Sequence, residues 1–383
     1  MLNLKQGDFK NKTVLVRCDF NVGIGADGSI SDDFRIRQAL PTIKYLLKQG
    51  AAVVLASHLE KKGDLISLKI VAKRLEQLLD MPVIFTNDCI GQAVLRRIKQ
   101  LKPGQVALLE NLRFHKEEKA NDNNFAKQLA SLGRVYVNEA FSCSHRAHAS
   151  IVSLPKYLPH YAGLLLESEI TSLAKIAKNP QHPFVAIIGG AKVETKAKTI
   201  ANILKIADHL LIGSKIGEAI LIQKQFLLGR PALAEDQLLA QIDITSPKIH
   251  LPIDGAMALK DFSEGYLRTA AIGSMRSEEE IYDIGPETIK FFKGIIKDAK
   301  TIFFNGPMGL FENKEFMAGT REILNAIGKN RAAYRVAGGG ETLEAINQFG
   351  LQDSFDFLST GGGAMLEFLS GPVLPGIQAL ETN

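Results

Sequence analysis

Residues 182–196, HPFVAIIGGAKVETK, lie just before the midpoint of the 383-residue chain and limit its architecture more than any other stretch. The apolar run Phe184 to Ile188 stands between Pro183 and the pair Gly189 and Gly190. It reads as a strand buried on both faces, as in a parallel sheet. Lys192 and Lys196 follow four residues apart, a spacing that places them on one face of a helix. A strand, two glycines and a cationic helix start can hold phosphate, because N–H groups at a helix N-terminus attract anions. A plain βα turn with solvated lysines explains the same stretch equally well.

A chain of this length exceeds one ordinary core, so two domains are expected. Its 46% hydrophobic and 23% charged residues describe a soluble globular protein. No apolar run approaches the roughly 20 residues a membrane span needs, and the opening MLNLKQGDFKNK has no apolar signal core. A cytoplasmic protein without membrane attachment is the expectation. Cys18, Cys89 and Cys143 have no metal-ligand spacing and suit reduced thiols. Charge is uneven: residues 1–150 hold 23 Lys and Arg against 15 Asp and Glu, the remainder 23 against 26. No basic run exceeds two residues and Trp is absent, which speaks against nucleic acid. A small acidic substrate held by dispersed arginines fits the basic first half better.

The same rhythm runs through the whole chain. TVLVR (13–17) leads into Asp19, Phe20 and Asn21; a helix near 33–49 carries Arg35 in its first turn; AAVVLAS (51–57) delivers His58; VALLE (106–110) precedes Arg113; and a strand at 134–138 leads to His145, Arg146 and His148. A cation in a helix's first turn opposes the dipole, so Arg35 makes sense where an anion binds. Helix 164–178 connects the halves. Beyond it come helix 196–206, strand 208–212, a helix after Gly217, strand 249–253, an irregular polar stretch at 255–284, helix 286–298, strands at 301–304 and 333–337, and FDFLS (355–359). Glycine runs at 189–190, 338–340 and 361–363 each follow a strand and precede a helix. Gly is entropically unfavourable by roughly 0.5–1 kcal/mol relative to Ala, so close approach of backbone to a ligand, phosphate above all, explains them better than turns alone. Strand, helix and strand with polar residues at one edge is the pattern of doubly wound α/β domains.

Several tempting motifs fail on context. Gly23-Ile24-Gly25-Ala26-Asp27-Gly28 spells a dinucleotide fingerprint, but a loop follows it instead of a helix. No G-x-x-x-x-G-K-[ST] occurs. His145 and His148 lack further zinc ligands at suitable spacing. Cys143 and His145 are too close in sequence to form a nucleophile and base.

Taken together, VLVRCDFNV (14–22), DDFRIRQALPTI (32–43), SHL (57–59), LLENLRFH (108–115), HRAHAS (145–150), GGAKVETK (189–196), DIGP (283–286), NGPMGLFE (305–312), GGGET (338–342) and STGGGAMLEFL (359–369) resemble phosphoglycerate kinases along nearly the whole chain. The resemblance implies two doubly wound parallel-sheet, Rossmann-like domains separated by a cleft that closes about a hinge. It implies a phosphoglycerate-binding domain at 1–163, a connecting helix at 164–180, a nucleotide-binding domain at 181–365 and a tail at 366–383 returning to the first domain. The implied activity is glycolytic: reversible, Mg2+-dependent phosphoryl transfer between 1,3-bisphosphoglycerate and ADP, giving 3-phosphoglycerate and ATP in a cytoplasmic monomer. The implied substrate contacts are Asp19, Phe20, Asn21, Arg35, His58, Leu59, Glu60, Lys61, Arg113 and Arg146. The implied nucleotide contacts are Lys196, Asn305, Glu312, Gly339, Gly340, Glu341 and Thr342, with Glu341 near the metal of the Mg-nucleotide. Arg35, Lys192 and Gly361, Gly362 and Gly363 would surround the phosphoryl group in transit.

Some positions depart from the family pattern. The usual S-H-L-G-R-P reads Ser57-His58-Leu59-Glu60-Lys61-Lys62, which trades an arginine fork for a lysine. Glu341 stands for an aspartate, Gly213-Ser214-Lys215 for a triple glycine, LPIDGAMA (251–258) for a more apolar segment, and Gly23 for a proline. A divergent relative with weak activity, kept as a binding or scaffold protein, is the alternative.

Overall fold

Short apolar runs become strands wherever both of their faces can be covered. In the computed structural model of the protein, which describes residues 1–61, 63–190, 196–227, 239–260 and 265–381, they build two six-stranded sheets. The chain divides into two compact units, Met1–Thr171 together with the segment from Val373, and Ser172–Pro372. The divide falls inside helix Leu164–Lys178.

In the first unit the strand order is His160–Ala162, Val135–Asn138, Thr13–Arg17, Ala52–Ala56, Val106–Leu108, Val83–Phe85, every pair parallel. Helix Phe34–Lys48 buries Ile36, Ala39, Ile43 and Leu46, an i, i+3, i+7, i+10 stripe. These pack with Val14, Val16, Val53 and Leu55 in one core. Each Val, Leu or Ile among them contributes about 1.5–3 kcal/mol through burial. The literal G-x-G-x-x-G lies in a small antiparallel hairpin, Gly23–Ile24 with Ile30–Asp32, and the helix starts only at Phe34. After Val373 the chain lies on this unit, where Gly376 N–H donates to the Ser144 carbonyl at 2.8 Å.

In the second unit the order is Ile249–His250, His209–Ile212, Phe184–Ile188, Thr301–Asn305, Tyr334–Gly338, Phe357–Ser359, again all parallel. Counted along the chain this is 3-2-1-4-5-6, the doubly wound order, and its direction reverses between Phe184–Ile188 and Thr301–Asn305. Just past that switch Gly189 and Gly190 donate to the carbonyls of Asn305 and Pro307 at 3.0 and 2.9 Å. The backbones approach so closely that a Cβ on Gly189 would lie 2.0 Å from the Pro307 oxygen.

Two expectations need correction. The stretch 255–284 is not irregular: Asp254–Leu259, Leu267–Ala271 and Glu279–Ile284 form a three-stranded antiparallel sheet. Its strands are polar because one of them carries a fully buried carboxylate. Glu279 accepts from Arg268 Nη2 at 2.6 Å and Nε at 2.9 Å, from Tyr266 at 2.7 Å and from Arg276 N–H at 2.8 Å, which satisfies it. The helix expected after Gly217 is Ser214–Gln223. Gly217 lies within it because a Cβ there would press on the Ile212 carbonyl at 3.3 Å, a packing constraint that reads from sequence as a break. Helix Ala318–Lys329 and strand His160–Ala162 complete the layers without an expectation.

Gly189→Ala forces the switch-point loops apart and is expected to destabilise the protein by about 1–3 kcal/mol or more, read from urea denaturation followed by far-UV circular dichroism. Hydrogen bonds from Arg268 hold the Glu279 carboxyl down to about 2, against an ordinary 4.5. A depressed acid stabilises the fold above its unfolded value and loses that contribution as pH falls. The urea midpoint is therefore expected to drop between pH 4.5 and 2, and Glu279→Gln to flatten that part of the profile.

Candidate functional site

In the first unit the polar residues gather at the carboxyl ends of the strands. Thr13–Arg17 leads to Asp19, Ala52–Ala56 to His58, Val106–Leu108 to Arg113 and Val135–Asn138 to Ser142. Asp19 is buried and takes Arg35 Nη1 at 2.9 Å and the Ser142 hydroxyl on one oxygen, and Asn21 N–H at 2.9 Å on the other. Burial alone would raise its carboxyl. The Arg35 guanidinium and the bonds from Ser142 and Asn21 outweigh that and keep Asp19 charged, well below the usual carboxylate range. Burial pushes His58 well below its ordinary value, and Arg17, Arg113 and Arg35 add to the effect against Asp19. His58 is therefore neutral, 3.9 Å from Asp19.

Asn21 ties this edge together: its carbonyl accepts from Arg35 Nη1 at 2.9 Å and its side-chain oxygen from Glu60 N–H at 2.9 Å. Arg113 is buried on the far side of Glu60, to which its Nη1 donates. Arg146 is exposed, its Nε on His145 Nε2 at 3.2 Å. Three expected contacts are placed differently from the rest. Phe20 and Leu59 point into the core, leaving only their backbones to the site, where Phe20 N–H donates to Ser57 Oγ at 2.8 Å and the Leu59 carbonyl accepts from Asn111 at 2.7 Å. Lys61 donates to the carbonyls of Ile24 and Gly25 at 2.9 and 3.3 Å.

Arg17 and Ser142 carried no sequence signal as site residues. Arg17 is fully buried, donating to the Cys18 carbonyl and to Ser150 Oγ at 2.8 Å, 3.9 Å from Glu118. The one hint was a cation closing the apolar run TVLVR.

In the second unit the glycine runs converge beyond the switch point. Asn305 Nδ2 donates to the Gly338 carbonyl at 2.6 Å, and Gly306 N–H to Thr342 Oγ1 at 2.7 Å. Lys196 is buried with its ammonium on the Gly189 carbonyl. Gly339 has φ +105° and caps helix Gly340–Gln348, while Gly361 caps Gly362–Leu369. A Cβ on Gly362 would lie 3.6 Å from Gly339 Cα, so two helix N-termini open side by side. Their unpaired N–H groups and dipoles suit an anion. Asn305 Oδ1 is buried here without a hydrogen-bond partner among the described residues. A neighbouring cavity of about 210 Å³ is lined by Gly190, Lys215, Tyr282, Leu310, Glu312 and Glu341, among others. Burial lowers the Lys215 ammonium, but Glu218 at 2.8 Å and Glu280 at 3.3 Å prevail and keep it protonated. Lys215, which replaces a family glycine at this edge, stands in the cavity wall, whereas Tyr282 was not read as one, since it does not stand next to a glycine run that points to phosphate. Lys192 lies outside the described residues.

The phosphoglycerate kinase family model matches residues 4–372. A phosphoglycerate kinase of Dictyoglomus turgidum is 46% identical, covering 100% of this chain and 98% of its own length, and one of Moorella thermoacetica is 44% identical over 99% and 98%. Among solved structures, phosphoglycerate kinase from Pyrococcus horikoshii OT3 superposes with a TM-score of 0.90 at 35% identity over 100% of this chain and 98% of that one. The Coxiella burnetii phosphoglycerate kinase gives 0.84 at 35% identity over 99% and 98%. With arginines gathered at one sheet's edge, glycine-capped helix starts at the other's, and this likeness along its full length, the chain belongs to the phosphoglycerate kinase family.

Proposed function

We propose that the chain transfers the acyl phosphate of 1,3-bisphosphoglycerate to Mg-ADP, reversibly, giving 3-phosphoglycerate and Mg-ATP, as a cytoplasmic monomer in glycolysis. The observation that carries the reading is that each unit gathers groups suited to an anion, of different make, at its sheet's carboxyl edge. One is built of guanidinium groups, the other of helix N-termini and glycine backbone.

In this reading Arg35, Arg113 and Arg146 take the carboxylate and phosphate of phosphoglycerate, because planar forked donors match both groups. Asp19 and Asn21 hold Arg35 in place. Neutral His58 can give a hydrogen bond to the substrate without adding charge. Lys196, Asn305, Thr342 and the backbone of Gly339 and Gly340 position the nucleotide phosphates, and Glu312 and the cavity beside it receive the nucleoside. Glu341, exposed at the cavity wall, fits an oxygen-seeking cation that reaches the protein through one carboxylate and otherwise through phosphate. Bound there, Mg2+ would neutralise phosphate charge.

The family resemblance assigns Arg35, Lys192 and the backbone of Gly361, Gly362 and Gly363 to the group in transit. In-line transfer needs positioning and charge stabilisation and no covalent intermediate. It also needs both substrates within bonding reach, so the units must close on one another during turnover.

A coupled spectrophotometric assay with Mg-ATP and 3-phosphoglycerate tests the reading. Arg35→Ala is expected to lower kcat/KM by about 10²–10³-fold, the range for removing one donor to developing charge, with Arg35→Lys between it and the wild type. No turnover by a folded wild-type protein would overturn it in favour of a binding protein.

A further inference from the structure

Arg113, one of the cations assigned to phosphoglycerate, already has an anion. Its Nη1 donates to Glu60 Oε2, and Lys119 Nζ lies 3.6 Å from the same oxygen. Its Nε is buried and has no hydrogen-bond partner among the described residues. A guanidinium carries five donors, so a single carboxylate oxygen on one nitrogen leaves the fork unfinished. Glu60 is also attached in a particular way. Its backbone is fixed, with its N–H on Asn21 Oδ1 at 2.9 Å and its strand paired to Leu65, whereas its side chain is 28% exposed. The carboxylate can rotate away while the loop stays in place.

We propose that Glu60 is a tethered counter-anion that occupies Arg113 in the unliganded protein and is displaced by the anionic group of phosphoglycerate, so that it sets substrate affinity. The proposal rests on the assignment of this edge as the phosphoglycerate site. An incoming phosphate or carboxylate that spans the end-on pair Nη1 and Nη2 takes the nitrogen Glu60 holds and makes a bidentate bond, which a side chain reaching one nitrogen does not. Each binding event must break the Glu60 contact before it makes its own, and the displaced carboxylate then faces a second anion. Glu60 thus acts through Arg113 and does not bind substrate. Its presence among the substrate contacts implied by the SHL segment reflects its place in the chain. Without it, a buried cation stands unpaired and gains more from any anion that arrives.

Glu60→Gln removes the charge and keeps the size. It is expected to lower KM for 3-phosphoglycerate about three- to tenfold and to lower Kd for inorganic sulfate, measured by isothermal titration calorimetry without nucleotide, by a similar factor. KM for Mg-ATP should stay where it is. The exposed Asp64→Asn, which takes the same charge from the partner strand of the hairpin, should change none of these. In an Arg113→Met background, Glu60→Gln should bring no tightening, a loss of coupling that a merely structural role would not produce. Unchanged or weaker binding of both anions in Glu60→Gln, with the fold intact by circular dichroism, would sink the proposal while a turning-over wild type keeps the kinase reading. Tighter sulfate binding in a protein that never turns over would do the reverse.

Discussion

Both six-stranded sheets are parallel and covered on both faces, so polar groups have one place to emerge, the ends of the strands. Everything chemical in this protein follows from that restriction. The strands at 13–17, 52–56 and 106–108 are apolar almost to their last residue and then release Asp19, His58 and Arg113 within a few positions. In the second unit the strands at 184–188, 301–305 and 334–338 release glycines instead. The same architecture therefore makes two unlike sheet edges, depending on whether the residues past the strand offer side chains or bare backbone.

The two solutions differ in how charge is paired. In the first unit cations stand close together, and the fold tolerates them by interleaving Asp19 with Arg35, Glu118 with Arg17 and Glu60 with Arg113. Each pair has at least one buried member, for which an unpartnered charge is costly. In the second unit helix dipoles and N–H groups add positive potential beside the buried ammonium of Lys196 on the Gly189 carbonyl, and close backbone contact excludes Cβ atoms at Gly189 and Gly306. One site is tuned by side-chain partners, while the other is set by the backbone.

Much of this was legible residue by residue. The run Phe184 to Ile188 with its glycines, the helix carrying Arg35 and the strand delivering His58 sit where period and punctuation placed them, because each is a local pattern. The sheet at 254–284 was not legible. Its polar strands depend on Arg268, Tyr266 and Arg276 meeting around Glu279, and no local period records such a meeting. Gly217 misled for a related reason, since a glycine required by packing against Ile212 is written like a glycine that ends a helix. Phe20 and Leu59 belong to the site's motifs yet point into the core, because alternate residues past a strand face opposite ways.

Sequence alone determined the alternation of strand and helix, the division of charge between the halves and the family to which the chain belongs. These are properties of order, composition and motif, and they survive without coordinates. Tertiary structure decided which charges meet: that Arg17 braces Ser150 and Glu118, that Asn21 links Arg35 to Glu60, and that Glu60 reaches Arg113 across 53 positions of chain. Such pairings depend on which strands lie side by side, and that order, unlike the pattern along each strand, is settled only when the sheet closes its core.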